Sequence, residues 1–154
     1  ADVVVRLTAD CPLIDPALAA MALDSHRRLS NPHDLTCISA GAWLDGLDVE
    51  VMWMPVLERA DRIATAPAHR EHVTPWLVQQ GVTSLHTMGN ERALLDRVPD
   101  AWRKWSVDTP EDLARVRAIV AQMDDRVTAW VGNGTAFGWQ RTVEAALRAA
   151  KESA

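Results

Sequence analysis

Three consecutive β-branched residues, Val3-Val4-Val5, open a run that continues through Arg6, Leu7 and Thr8 with a single charge. A short, continuous apolar run of this kind suits a strand buried on both faces, and such strands belong to parallel sheets. A parallel sheet that opens on its own central strand implies that an earlier part of the sheet is missing from the chain. Downstream, strand-like and helix-like segments alternate, which predicts an α/β fold with a mainly parallel sheet.

The helix signals are sharper than the strand signals. Asp15-Pro16 supplies an N-cap and a first-turn proline. Leu18, Met21, Ala22, Ser25 and Leu29 then recur at helical spacing until Asn31-Pro32. Residues 34–39 form a strand candidate. Leu47, Val49, Val51 and Trp53 alternate along another strand. Pro55 starts a helix reaching about Ala64, and Thr74-Pro75 caps a short one that stops before Gly81. Residues 82–88 and 103–107 are weaker strand candidates. Thr109-Pro110-Glu111-Asp112 is the strongest helix start, with a capping box predicted between Thr109 and Asp112. Leu113, Val116, Val120 and Met123 form its expected buried stripe. Gly132-Asn133-Gly134 precedes a last amphipathic helix over about 139–151. The expected organisation is one unit over 1–131, then a short linker and helix over 132–154.

Composition removes several function classes. With 154 residues, 48% apolar and 24% charged, the chain has the makeup of one globular domain. No apolar stretch approaches the ~20 residues of a membrane-spanning helix. No charged-then-apolar leader opens it, so a soluble, cytoplasmic protein is expected. A net charge of −5 without basic clusters disfavours nucleic acid as a partner. Cys11 and Cys37 match no zinc spacing and are expected to be reduced core thiols.

Four segments carry residues able to do chemistry. Asp10 follows the first strand, where α/β sheets bind ligands, and a carboxylate there can hold magnesium; an Asx-turn is the structural alternative. Asp48 and Glu50 lie two apart on a strand, next to Asp45, and suit substrate hydroxyls, an amine or arginine partners. Arg70 can clamp phosphate or carboxylate. His69 and His72 stand at i, i+3 spacing but lack a third metal ligand, so a surface pair is expected. Asp108 precedes a well-capped helix, either complementing the helix N-terminus or converging with Asp10 on a metal. No Gly-rich phosphate loop occurs.

Together, Asp2–Pro16, Asp45–Val51, Arg70–Pro75 and Val107–Leu113 resemble the cytidylyltransferase family of spore coat polysaccharide biosynthesis protein F. These are relatives of the enzymes that activate sialic acid and 3-deoxy-manno-octulosonate as CMP-sugars. The resemblance covers residues 2–121. It implies a three-layer α/β/α nucleotide-diphospho-sugar transferase fold, CTP and a sugar acid or related sugar as substrates, pyrophosphate release and a homodimer. It also implies Mg2+ held by Asp10 and Asp108. Arg6 and Arg70 would contact phosphate or sugar carboxylate; Asp45, Asp48, Glu50 and His72 would line the sugar pocket. The family's N-terminal nucleotide-gripping loop has no counterpart, Ala9 replaces its glycine, and Trp43-Leu44 replaces an aromatic-Pro pair. An inactive sugar-binding or dimerisation module, and a glycosyltransferase using a nucleotide-sugar donor, are the alternative readings.

Overall fold

The computed structural model describes residues 1–28, 35–38, 43–80, 83–85, 92–123 and 138–153. Four strands, β1 (Val3–Arg6), β2 (Leu35–Ile38), β3 (Val49–Trp53) and β4 (Thr83–Leu85), form one sheet in the order β1-β3-β2-β4. β3 runs antiparallel to both β1 and β2, and only the β2–β4 pairing is parallel. The sheet is therefore not mainly parallel, contrary to the pattern-based expectation. The reason lies in the connection between β2 and β3, residues 39–48, which is too short for the crossover that a parallel neighbour requires. One reversed strand between β1 and β2 converts two pairings at once.

Helices cover both faces. α1 (Pro16–Arg28), α6 (Pro110–Ala121) and α7 (Trp139–Glu152) contribute Leu18, Ala22, Ile119, Val143 and Ala146 to a core shared with Ile38, Val49 and Val51. On the other face Leu35, Cys37 and Met52 pack with Val56 and Ala60 of α2 (Met54–Ile63) and Leu77 of α4 (Pro75–Gln79). Strand alternation explains the split, since odd and even positions of β3 point to opposite faces. Its two faces are covered by these helices, and its two edges are paired because β3 is interior to the sheet. Between α2 and α4 lies the short α3 (Pro67–His72), and α5 (Arg92–Leu95) follows β4.

β1 is an edge strand of this sheet, not a central one, and Val5 is 39% exposed. Its apolar run is satisfied only in part: Val3 and Val4 pack against the two cores on opposite faces. Nor do residues 103–107 form a strand; Lys104 makes one isolated bridge to Asp45 after a single 3-10 turn, Asp100–Trp102. Asn31-Pro32, Leu29 and Gly132-Asn133-Gly134 lie outside the described residues.

The helix starts follow their local chemistry. Thr109 accepts from the Asp112 amide at 3.2 Å while Asp112 accepts from the Thr109 amide at 3.1 Å, completing the capping box. Asp15 is buried and serves two helices: Oδ1 accepts from Ala17 N at 2.7 Å and Oδ2 from Trp139 N, the first residue of α7. Trp139 then meets Trp43 edge to face at 5.1 Å.

The buried face of α6 is rotated from the expected stripe. Asp112, Val116 and Ile119 are buried, whereas Leu113 and Val120 are 37% and 47% exposed. The polar capping residue Asp112 belongs to the inward face, which a purely apolar pattern overlooks. Ile119→Ala should therefore cost about 2–5 kcal/mol, whereas Val120→Ala should stay within about 0.5 kcal/mol of wild type. Urea denaturation of both variants checks this ordering.

Candidate functional site

Backbone hydrogen bonds draw three distant segments together. Val107 N donates to Asp10 O at 2.8 Å, and Trp105 N donates to Asp45 O at 2.7 Å. The 43–48 turn can approach this closely because its central residue is Gly46. A Cβ there would sit 2.5 Å from Ser106 N and Trp105 C, and the backbone has φ +98°. Asp48 Oδ2 accepts from Gly46 N at 3.0 Å, and Asp45 Oδ2 accepts from the Ser106 hydroxyl at 2.9 Å.

The Cys11 sulfur lies 3.8 Å from Asp10 Oδ1, and the charges of Asp48 and Asp45 also act on it. Burial pushes the Cys11 thiol up to about 11; the Thr8 hydroxyl, 3.1 Å from its sulfur, opposes this, and the three carboxylates add to it. Burial likewise raises Cys37 to about 11, with Glu50 and Asp48 contributing. Asp10 itself is exposed, and a hydrogen bond from the Thr8 side chain holds its carboxyl below the usual range, against slight desolvation.

Asp108 is exposed at the edge of this cluster, beside a second charged group. Lys104 Nζ donates to Asp108 Oδ2 at 2.7 Å and also to Asp112 Oδ2. Arg115 Nη1 donates to Asp112 Oδ1 at 2.7 Å, and the amides of Asp108 and Thr109 donate to Oδ2. The Asp112 side chain is only 5% exposed. Lys104 first, then Arg115, hold its carboxyl well below the ordinary carboxylate range, and both acids raise Lys104 in turn. Lys104 and Ser106 carried no expected role, and Asp112 only that of a helix cap; the available signal was that Lys104 is one of only two lysines in an arginine-rich chain.

The remaining candidates are engaged with protein partners. Arg6 Nη1 donates to Glu50 Oε2 across the β1–β3 pair, and the buried Thr74 hydroxyl donates to Glu50 Oε1 at 2.6 Å. Thr74 thus ties α4 to the sheet and makes no side-chain cap. The tie follows a strained turn: Val73 has φ 68° and ψ −55°, closed by Thr74 N donating to His72 O at 2.8 Å. This is the rare γ-turn of positive φ, which a β-branched residue adopts only when its surroundings enforce it. Arg70 donates to Asp61 Oδ1 at 2.7 Å, between α3 and α2. His72 Nε2 lies 4.0 Å from Glu71. Among the described residues no three His, Cys, Asp or Glu side chains converge on one metal position.

Asp10 and Asp108 supply hard oxygen donors on adjoining segments. That donor set fits magnesium, which takes one or two carboxylates and completes its shell with water and substrate phosphate. It does not fit zinc, whose structural sites need four protein ligands.

No family model matches the chain, and no curated protein is detectably similar in sequence. A solved structure is similar: a cytidylyltransferase from Leptospira borgpetersenii serovar Hardjo-bovis (strain JB197), with TM-score 0.69 and 22% identity. The match covers 81% of this chain and 51% of that one, so the chain spans about half the length of its structural neighbour. The fold is thus mixed α/β and cytidylyltransferase-like, with an antiparallel β1-β3-β2 portion in its sheet. Among the described residues no helix is long and apolar enough to cross a membrane.

Two measurements test this electrostatic picture. Asp112 contributes stability that is fully present above its unfolded value near ~3.9 and is lost as pH falls through its depressed folded value. Urea midpoints of the wild type should drop as acid is added below about pH 4, and Asp112→Asn should show a shallower acid limb. Cys11 and Cys37, both buried with raised thiols, should react slowly with a disulfide reagent at pH 8 and rapidly once unfolded.

Proposed function

We propose that this chain carries the metal and acceptor side of a nucleotidyltransferase that moves CMP from CTP to a sugar acid or related sugar. One observation supports the reading above the others: the Val107-to-Asp10 hydrogen bond sets the segments of Asp10 and Asp108 side by side within a cytidylyltransferase-like fold. In this reading Asp10 and Asp108 hold magnesium, which when bound neutralises the triphosphate. Asp10 is exposed, and the Thr8 side chain lowers its carboxyl further. Asp45 and Asp48, fixed by Ser106 and Gly46, present carboxylate oxygens to the acceptor's hydroxyls. An acceptor hydroxyl oxygen forms the new bond to the α-phosphorus, the bond to the β-phosphate oxygen breaks, pyrophosphate leaves, and the hydroxyl proton passes to solvent. The Arg6–Glu50–Thr74 tie and the Arg70–Asp61 pair act in this reading as supports for the walls. His72 borders that support on α3.

A second reading rests on Lys104. Its ammonium already places a positive charge on Asp108 and Asp112, which suits a non-catalytic sugar-binding or dimerisation module of the same fold.

Thermal melts with CTP and magnesium separate the two. The transferase reading expects stabilisation of about 2.7 kcal/mol when ligand reaches 100 times its dissociation constant. It further expects Asp10→Asn and Asp108→Asn to lose the magnesium-dependent part, and pyrophosphate release from CTP to appear with an acceptor sugar acid. No CTP-dependent shift, with sugar binding or self-association retained, establishes the module instead.

A further inference from the structure

Beside the acidic cluster, a cavity of about 260 Å3 is bounded by Trp43, Leu44, Asp45, Arg92, Arg103 and Lys104, with Asp100 at its rim. Its polar groups differ in how fully they are engaged. Lys104 bonds to Asp108 and Asp112, Arg92 Nε donates to Asp96 Oδ1 at 2.9 Å, and Asp45 accepts from Ser106. Arg103 is different. Its guanidinium lies 3.6 Å from Asp96 and 4.0 Å from Asp100, beyond hydrogen-bond reach of both. Asp96 is already held by Arg92 at the shorter distance, and the Asp100 side chain is fully exposed, so water screens its charge.

We propose that this cavity is an oxyanion-binding site anchored by Arg103. A guanidinium carries five donors in a planar fork that matches carboxylate or phosphate oxygens, and a half-buried fork without a hydrogen-bonded acceptor is the group such an anion completes. Trp43 and Leu44 give the cavity an apolar wall, which suits a small anion borne on a compact body. The volume has room for a small anionic group. Arg92 and Lys104 also line the cavity but are already paired with acids, so Arg103 supplies the anchoring charge, and Asp45 and Asp100 disfavour highly charged polyanions. The site requires neither nucleotide nor metal, so it stands or falls separately from the transferase reading.

Inorganic phosphate and acetate, titrated separately at low ionic strength, distinguish a phosphate from a carboxylate source. The readout is the indole N–H resonance of Trp43, one of seven tryptophans, assigned with Trp43→Phe. Saturable movement with at least one anion is expected, weakened by about tenfold or more in Arg103→Gln, as for loss of a charge-assisted pair. Arg28→Gln, at the far end of α1, should bind as wild type. Circular dichroism verifies that Arg103→Gln is folded. Should that variant unfold, Arg103→Lys keeps the charge and removes the fork, and is expected to bind more weakly. Absence of saturable binding with both anions, or wild-type affinity in the folded Arg103 variant, overturns the proposal.

Discussion

The hydrogen bond from Val107 to Asp10 joins two segments that neither share a strand nor follow one another in the chain. It brings Asp10 to the same place as Asp108 and its partners. It sets the loop after β1 against the approach to α6, and the parallel contact from Trp105 to Asp45 adds the third segment. The close packing of Gly46 against Ser106 then leaves no room for a side chain at the centre of the turn. Backbone complementarity, more than side-chain attraction, assembles a group of acids that would otherwise repel one another.

The cluster tolerates its negative charge because donors are distributed through it. Thr8, Ser106 and the Gly46 amide each serve one carboxylate of the cluster, and Lys104 bridges two acids at the helix start. The arginines divide similarly. Arg6 and Arg70 are drawn into ion pairs, Arg6 with the half-buried Glu50 and Arg70 with the exposed Asp61. Arg103 makes longer ion pairs, 3.6 Å to Asp96 and 4.0 Å to Asp100, neither of them a hydrogen bond. A basic residue's availability is set by which acids lie within reach, and that is a property of the tertiary structure.

Local signals carried much of the architecture. The Asp15-Pro16 and Thr109-Pro110 helix starts, the shared face of Val49 and Val51 and the buried cysteines all follow from chemistry within a few residues, whereas Trp53, expected on that face, packs against the other core. Strand direction did not follow. An apolar strand looks the same whether its neighbour runs with or against it, and the run at Val3-Val4-Val5 cannot report that β1 lies at an edge. An arginine partner for Glu50 was among the readings the sequence allowed, but that it is Arg6, that Thr74 joins it and that Arg70 goes to Asp61 each depend on a second residue placed by the fold. The α6 stripe was misread for a related reason: its inward face includes a carboxylate satisfied by Lys104 and Arg115.

The carboxylate of Asp15 that receives the first amide of α7 lies 124 residues away from it in sequence. The entropic cost of closing a loop rises only slowly with its length, but contacts of high sequence separation slow folding. A contact of that sequence separation is expected to form late, once α1 and the strands it covers are in place. Loosening that contact would speed the departure from the native state while leaving the initial collapse almost untouched.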